Sequence, residues 1–142
     1  MRRLLMLPLV VFSLVRPALG QTVALPPIIK AGFDAYQAKG KEAAVDAWVS
    51  GSALAQDPTV RPSLIQAMGQ VESIFGTFTG YDVLKVVPFG PHSSRTYIVV
   101  PYQRGPAFAY FDAFLAPGGT SLTAFQFHTK AHEILPAQWF GQ

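Results

Sequence analysis

The sequence has no cysteine, so disulfide bonds do not hold this protein together. It also has few charged residues. Of its 142 residues, 50% are hydrophobic and only 13% are charged. A chain of this length can bury a core large enough to fold without covalent cross-links. Its composition is also unlike that of a disordered protein, in which hydrophobic residues are scarce and net charge is high. The composition therefore indicates a folded globular domain.

Positive charge is also scarce once the amino terminus is set aside. Three of the 11 Lys and Arg residues, Arg2, Arg3 and Arg16, lie within the first 20 residues, which leaves eight against eight Asp and Glu. The chain from Gln21 onward is formally neutral and has no basic cluster. Nucleic-acid binding needs a positive surface that displaces counterions from phosphates, so we expect no nucleic-acid partner.

The first 20 residues have the pattern of a signal peptide. Arg2 and Arg3 precede an apolar run over residues 4–15, and the small residues Ala18 and Gly20 follow it. A helix of twelve residues spans about 18 Å, which is short of the ~30 Å of bilayer hydrocarbon. We therefore expect residues 1–20 to be a cleaved leader with no stable membrane span afterwards. The protein is then exported, to the periplasm or as a secreted protein.

Residues 21–142 predict one domain of the α+β class. Helical periodicity indicates three helices, one from Pro26 to the residue before Gly40, one over 41–50, and one from Asp57–Thr59 to the residue before Gly76. Strand-like segments follow at 81–87, 95–102, 107–115 and 120–129. The short links between them imply sequential antiparallel hairpins. Pro101 is expected near a strand end or at a sheet edge.

These elements predict three N-terminal helices packed on a curved four-stranded antiparallel sheet. A two-residue turn at Pro117-Gly118 or Gly118-Gly119 determines which residues of the last two strands share a face. That register places seven residues, five of them aromatic, on one face of the sheet, and we expect this face to pack against the helices. The set is Phe108, Tyr110, Asp112, Phe114, Thr123, Phe125 and Phe127.

The order of elements resembles the cystatin-like or nuclear-transport-factor-2-like cone fold, as found in small uncharacterised exported bacterial proteins. The resemblance implies a fold and brings no catalytic motif with it, because proteins of this fold include enzymes, ligand binders and adaptors. The residues that carry it are 40–48 in the second helix, 105–111 with 117–119, and 125–129 with 134–136.

Asp112 is the candidate catalytic residue, because it is the one acid on the predicted aromatic face. Burial would disfavour its ionised form unless Arg95, Lys85 or a backbone N–H compensates. Two interpretations stay open: an acid–base residue, or an Asp whose head group is solvated or salt-bridged. No metal site is expected, because His128 and His132 lie four apart in a segment that is not helical. No cofactor is expected either.

Four aromatic residues, Tyr36, Trp48, Tyr97 and Tyr110, are candidate ligand-binding residues inside the cone. The competing interpretation is that they belong to the core, with their polar atoms reaching its rim. Trp139 and Phe140 lie close to the carboxyl terminus, where they either fold back onto the sheet or contact a partner.

Three functions are compatible with this sequence, which has no serine elbow, phosphate-binding glycine loop or paired-carboxylate motif. The first, which we favour, is a non-catalytic exported domain that binds a small apolar ligand or an envelope protein, with a homodimer as a further option. The second is a small acid–base enzyme, an isomerase or dehydratase, in which Asp112 is the base and Tyr36, Tyr97 or Tyr110 the donor. The third is an accessory subunit that docks through its tail or a sheet edge.

Overall fold

The computed structural model describes residues 24–141, so the predicted leader at 1–20 lies outside the described residues. The prediction of an α+β fold with an antiparallel sheet is confirmed. The helices are α1 (Pro27–Lys39), α2 (Lys41–Val49) and α3 (Val60–Phe75), and the strands are β1 (Asp82–Pro88), β2 (Ser93–Tyr102), β3 (Gly105–Ala116) and β4 (Gly119–His128). Short 3-10 turns occupy Ala53–Gln56, Ala131–Glu133 and Ala137–Phe140.

Two glycines end helices, as the sequence predicts. Gly40 has a φ of +93° and donates its N–H to the Tyr36 carbonyl, and Gly76 has a φ of +84° and donates to the Glu72 carbonyl. Residues with a side chain rarely adopt such backbone angles. Each glycine therefore stops its helix, and Gly40 also separates α1 from α2.

The sheet has the strand order β1-β2-β3-β4, and every neighbouring pair is antiparallel. Strands β1 and β4 are its edges. Pro101 lies beside the last residue of β2, opposite Pro106, and its carbonyl accepts the Thr79 N–H at 3.0 Å. The prediction that Pro101 stands near a strand end is confirmed.

The helices pack on one face of the sheet, and Trp48 of α2 is at the centre of that packing. Its ring lies 5.0 Å from the ring of Phe111 and 5.1 Å from that of Phe33, measured between centroids. The indole Nε1 donates a hydrogen bond of 3.2 Å to the Ile29 carbonyl. A Cβ atom at Gly32 would lie only 1.8 Å from Trp48 Nε1, so α1 needs glycine there to make room for the indole.

A β-bulge in β4 changes the register that the turn alone would set. Ala116 pairs with Gly119, which leaves the expected two-residue turn at Pro117-Gly118. Further along, Ala113 pairs with Leu122 but Asp112 pairs with Ala124. Thr123 is therefore an extra residue on β4, and it inverts the alternation of all residues beyond it.

The expected composition of the helix-facing surface is wrong for this reason. Phe111 pairs with Phe125, and Ala109 pairs with Phe127, and these residues face the helices. We call this side the helix face. Because side chains alternate along a strand, the even-numbered residues of β3 lie on the opposite side, which we call the outer face. They are Phe108, Tyr110, Asp112 and Phe114.

The carboxyl-terminal segment folds back onto the outer face. The ring of Trp139 packs edge-on against the ring of Tyr97, with centroids 5.1 Å apart. Tyr97 is buried, although it lies on the side of the sheet away from the helices. The outer face is therefore partly covered by the segment that follows β4.

Within residues 24–141, no helix combines the length and the hydropathy needed to cross a bilayer.

Candidate functional site

Asp112 forms an ion pair with Arg95, its cross-strand neighbour on the outer face. The Arg95 Nε lies 2.6 Å from Asp112 Oδ1, and Nη2 lies 2.7 Å from Oδ2. The guanidinium carbon also lies 4.1 Å from the centre of the Tyr110 ring. The hydrogen bond to Asp112 raises the pKa of Arg95 above its usual value, so the guanidinium stays charged.

This geometry matches the salt-bridged interpretation of Asp112. Both carboxylate oxygens accept charge-assisted hydrogen bonds from one guanidinium, an arrangement that holds the side chain in place. A general base needs a free lone pair within reach of the proton that it takes. The observed pairing therefore gives the catalytic interpretation no support.

The four candidate ligand-binding aromatics do not share one pocket. Trp48 and Tyr36 lie in the core on the helix face, where both are buried. Tyr97 and Tyr110 lie on the outer face, beside Trp139 and Arg95 respectively. The sheet separates the two pairs, and none of the four lines either of the grooves described below.

A cluster of polar side chains joins the three helices to β2. The Tyr36 hydroxyl donates to Glu72 Oε1 at 2.8 Å and lies 3.1 Å from the Tyr102 hydroxyl, while Lys41 Nζ donates to Glu72 Oε2 at 2.9 Å. Sequence reasoning missed Lys41, Glu72 and Tyr102. These residues lie far apart along the chain, and no local pattern marks them.

Burial determines what the two tyrosines of this cluster can do. It raises the pKa of Tyr102 to about 12 and raises that of Tyr36 further above its usual value. The hydrogen bond to Glu72 likewise raises the pKa of Lys41. At neutral pH both phenols are protonated and the lysine is charged. The cluster is therefore suited to holding the helices on the sheet, and not to supplying a base.

An apolar groove lies at the end of the sheet where β1 turns into β2 and β3 turns into β4. We call it the turn-end groove; its volume is about 320 Å³. Residues 24–27, which lead into α1, form one wall. The remaining lining residues are Pro88, 90–94, Ala113, Leu115 and Thr120. The Leu115 N–H donates to the His92 carbonyl at 2.7 Å, and this bond ties the two turns together.

Three large apolar side chains are exposed at this same end. Phe89 is 56% exposed, Leu115 52% and Phe114 41%. Of these three, Leu115 lines the turn-end groove, whereas Phe114 lies on the outer face of the sheet. An exposed apolar side chain inside a groove is a place where an apolar group could bind. Sequence reasoning missed this surface, although the prolines and glycines of both turns marked the turns themselves.

A second groove, also about 320 Å³, lies between the start of α3 and β4. Its walls include Leu54, Val60 and Leu64, which pack against the core, together with the bulge residue Thr123. None of these three apolar side chains is among the exposed ones, so this groove is the weaker candidate for binding.

Two of the three histidine side chains have local partners. His128 Nδ1 accepts the Lys130 N–H at 2.9 Å, and His132 Nε2 lies 3.3 Å from Glu133 Oε1. In the described part of the chain, no three His, Asp or Glu side chains are grouped as metal ligands would be.

Comparisons of the chain with protein-family models, with curated proteins and with solved structures found no match. Function is therefore inferred from the residues of this chain alone.

Proposed function

We propose that this protein is an exported, non-catalytic domain with a cone-like fold, and that it binds an apolar group in the turn-end groove. The group belongs either to a small ligand or to a side chain of an envelope protein. The observation that carries the proposal is the exposed Leu115 side chain in a groove that four prolines also line. Residues 1–20, with their leader-like sequence, support export.

The walls of the groove suit an apolar partner. Pro26, Pro27, Pro88 and Pro91 line it, and their rings fix the backbone and remove N–H donors. A wall that is rigid before binding loses little conformational entropy when a ligand enters. A volume of about 320 Å³ is at the lower end of the range for small-molecule sites.

A curved sheet is part of this proposal, and two bulges support it. Thr123 is the extra residue in β4, and Leu84 is the extra residue in β1. A bulge bends its strand and increases the local twist. With one bulge in each edge strand, both edges of the sheet have a cause for bending.

The polar clusters favour binding over acid–base catalysis. Both oxygens of Asp112 are engaged by Arg95, and burial keeps Tyr36 and Tyr102 protonated. An accessory subunit stays compatible with the same surface, since a protein partner would use the turn-end groove as well.

Native mass spectrometry of the protein purified from the exported fraction tests the proposal. We expect a chain that begins at Gln21 and carries either a small-molecule adduct or a bound protein, and the added mass separates these two sources. A monomer without any adduct that also ignores apolar fluorescent probes would contradict the proposal.

Matched variants test the place of binding. Leu115→Asp should weaken the binding of an apolar fluorescent dye by about tenfold or more, because a charge replaces apolar contact. Ile74→Asp is the control, since Ile74 of α3 is 56% exposed, much like Leu115, and does not line the turn-end groove. Equal dye affinity in the two variants would contradict the assignment of the groove.

A further inference from the structure

Strand β1 is an edge of the sheet, and on the side away from β2 its backbone pairs with no other strand of the described chain. Two of its apolar side chains are strongly exposed, Val83 at 42% and Leu84 at 43%. The opposite edge, β4, is contacted by the 3-10 turn Ala53–Gln56. An edge strand with unpaired backbone groups and exposed apolar residues is a template for a further strand.

The backbone of β1 is suited to such pairing. The Phe89 N–H donates to the Ser93 carbonyl at 2.7 Å, so Phe89 directs its amide toward β2. Because the direction alternates along a strand, Pro88 directs its nitrogen toward the free edge. Proline has no N–H to offer there, and it is the last residue of the strand. By the same alternation Val86 directs its N–H toward the free edge, where a further strand can accept it.

The bulge in β1 gives this edge an unusual distribution of charge. Asp82 pairs with Val99 and Lys85 pairs with Tyr97, whereas Leu84 is the extra residue between Val83 and Lys85. In a regular strand, residues three apart lie on opposite faces. Here the extra residue places Asp82 and Lys85 on the same face, the outer face. Within residues 24–141, neither of them forms an ion pair with another residue.

We propose that β1 is the contact edge of a two-fold homodimer, in which β1 pairs antiparallel with β1 of a second copy. In the register centred between Val83 and Leu84, Asp82 of each copy lies opposite Lys85 of the other. Both members of each pair are on the same face, as directly opposed residues in a sheet must be. The two-fold axis produces this ion pair twice and brings Val83 and Leu84 together at the centre.

Self-complementarity is the reason for choosing a second copy as the partner. A two-fold interface uses the same patch on both subunits, so the patch must satisfy its own charges when turned around. One acid and one base, placed symmetrically about Val83-Leu84 on one face, do so. An unrelated extended peptide would need its own matching charges at this spacing. The proposal does not depend on ligand binding in the turn-end groove.

Sedimentation velocity of the protein from the exported fraction, between about 1 µM and about 1 mM, tests the proposal. We expect a concentration-dependent monomer–dimer equilibrium. Asp82→Lys and Lys85→Asp each place like charges opposite one another, so each should weaken the dimer by about tenfold or more. The double variant D82K/K85D restores opposite charges and should recover dimerisation.

The control variant is Lys130→Asp, which changes an exposed lysine outside β1 and should leave the equilibrium unchanged. Circular dichroism of each variant shows whether the fold is kept, and the rescue by the double variant separates charge pairing from misfolding. A wild-type protein that is monomeric throughout would overturn the proposal. It would be overturned equally if that monomer bound an extended segment of another protein through β1. A dimer that the single variants do not weaken, or that the double variant does not restore, would overturn it as well.

Discussion

Tyr36 and Tyr102 place two hydroxyl groups 3.1 Å apart under the helices, with Glu72 accepting from Tyr36. A phenol that leaves water loses the solvation that would stabilise its anion, and the neighbouring carboxylate adds repulsion. Both effects keep the hydroxyl groups neutral, and neutral hydroxyl groups can satisfy one another by hydrogen bonding. The consequence is a pH dependence of stability that belongs to these two residues.

The free energy of unfolding should fall as the pH rises from 10 to about 12. The pKa of Tyr102 is about 12 in the folded protein against an ordinary value of 10, so in this window the folded state holds a proton that the unfolded chain has released. Stability that is fully present below pH 10 is therefore lost as the pH rises. A rise of two pKa units corresponds to on the order of 3 kcal/mol. Urea unfolding at a series of pH values measures it.

The variant Tyr102→Phe should reduce this slope, and the part that remains belongs to Tyr36, whose pKa is also raised. The matched control is Tyr81→Phe, which removes the hydroxyl of a half-buried tyrosine that stacks on Phe33 and lies outside the cluster. Equal slopes in wild type and Tyr102→Phe would show that the buried pair does not titrate in this way.

Residue types alone revealed only part of this chemistry. The sequence identified Asp112 as a notable acid and Arg95 as a possible counter-ion, and the structure joins these two. It could not reveal the cluster of Lys41, Glu72, Tyr36 and Tyr102, because four elements that are distant in sequence bring it together. Contacts of this kind depend on the packing of helices on a sheet, which periodicity does not specify.

At the scale of elements, the bulge at Thr123 determines which aromatic residues enter the core. The two-residue turn at Pro117-Gly118 and the lengths of β3 and β4 follow from turn residues and alternation. The position of the extra residue does not follow from the sequence in this way, since the segment around Thr123 contains no glycine or proline that would mark a bulge. The stacking of Phe111 on Phe125, with centroids 5.5 Å apart, accounts for it. Burying these rings against Trp48 requires the inverted alternation.

Deleting Thr123 should destabilise the fold by on the order of 3 kcal/mol or more. The deletion turns either Phe125 and Phe127 or the residues near the turn to the wrong side, and removing a large aromatic side chain from a core costs that much. Thermal unfolding followed by circular dichroism measures the loss.

The control for this deletion is Thr123→Ala, which keeps the bulge. It removes only an exposed hydrogen bond of 3.3 Å from Thr123 Oγ1 to the Asp112 carbonyl, so it should cost about 1 kcal/mol or less. If the deletion variant were as stable as Thr123→Ala, the bulge would have no part in assigning the faces.

At the scale of the whole molecule, the two faces of the sheet contact different parts of the chain. The helix face carries the core around Trp48, and the outer face carries the Arg95–Asp112 pair and the returning tail. Within residues 24–141, two of the four predicted aromatics lie on each side of the sheet, so they do not line one common pocket. Exposed large apolar side chains lie at the turn end of the sheet, on β1, on α3 and in the carboxyl-terminal segment.

The central claim is that the turn-end groove receives an apolar group, and amide NMR spectra of the chain from Gln21 onward test it most directly. Titration with an apolar probe should shift the signals of residues 88–94 and 113–120, which surround the groove, and leave those of α2 and α3 in place. No shift at saturating probe, or shifts that centre on Trp48 and α3, would contradict the claim.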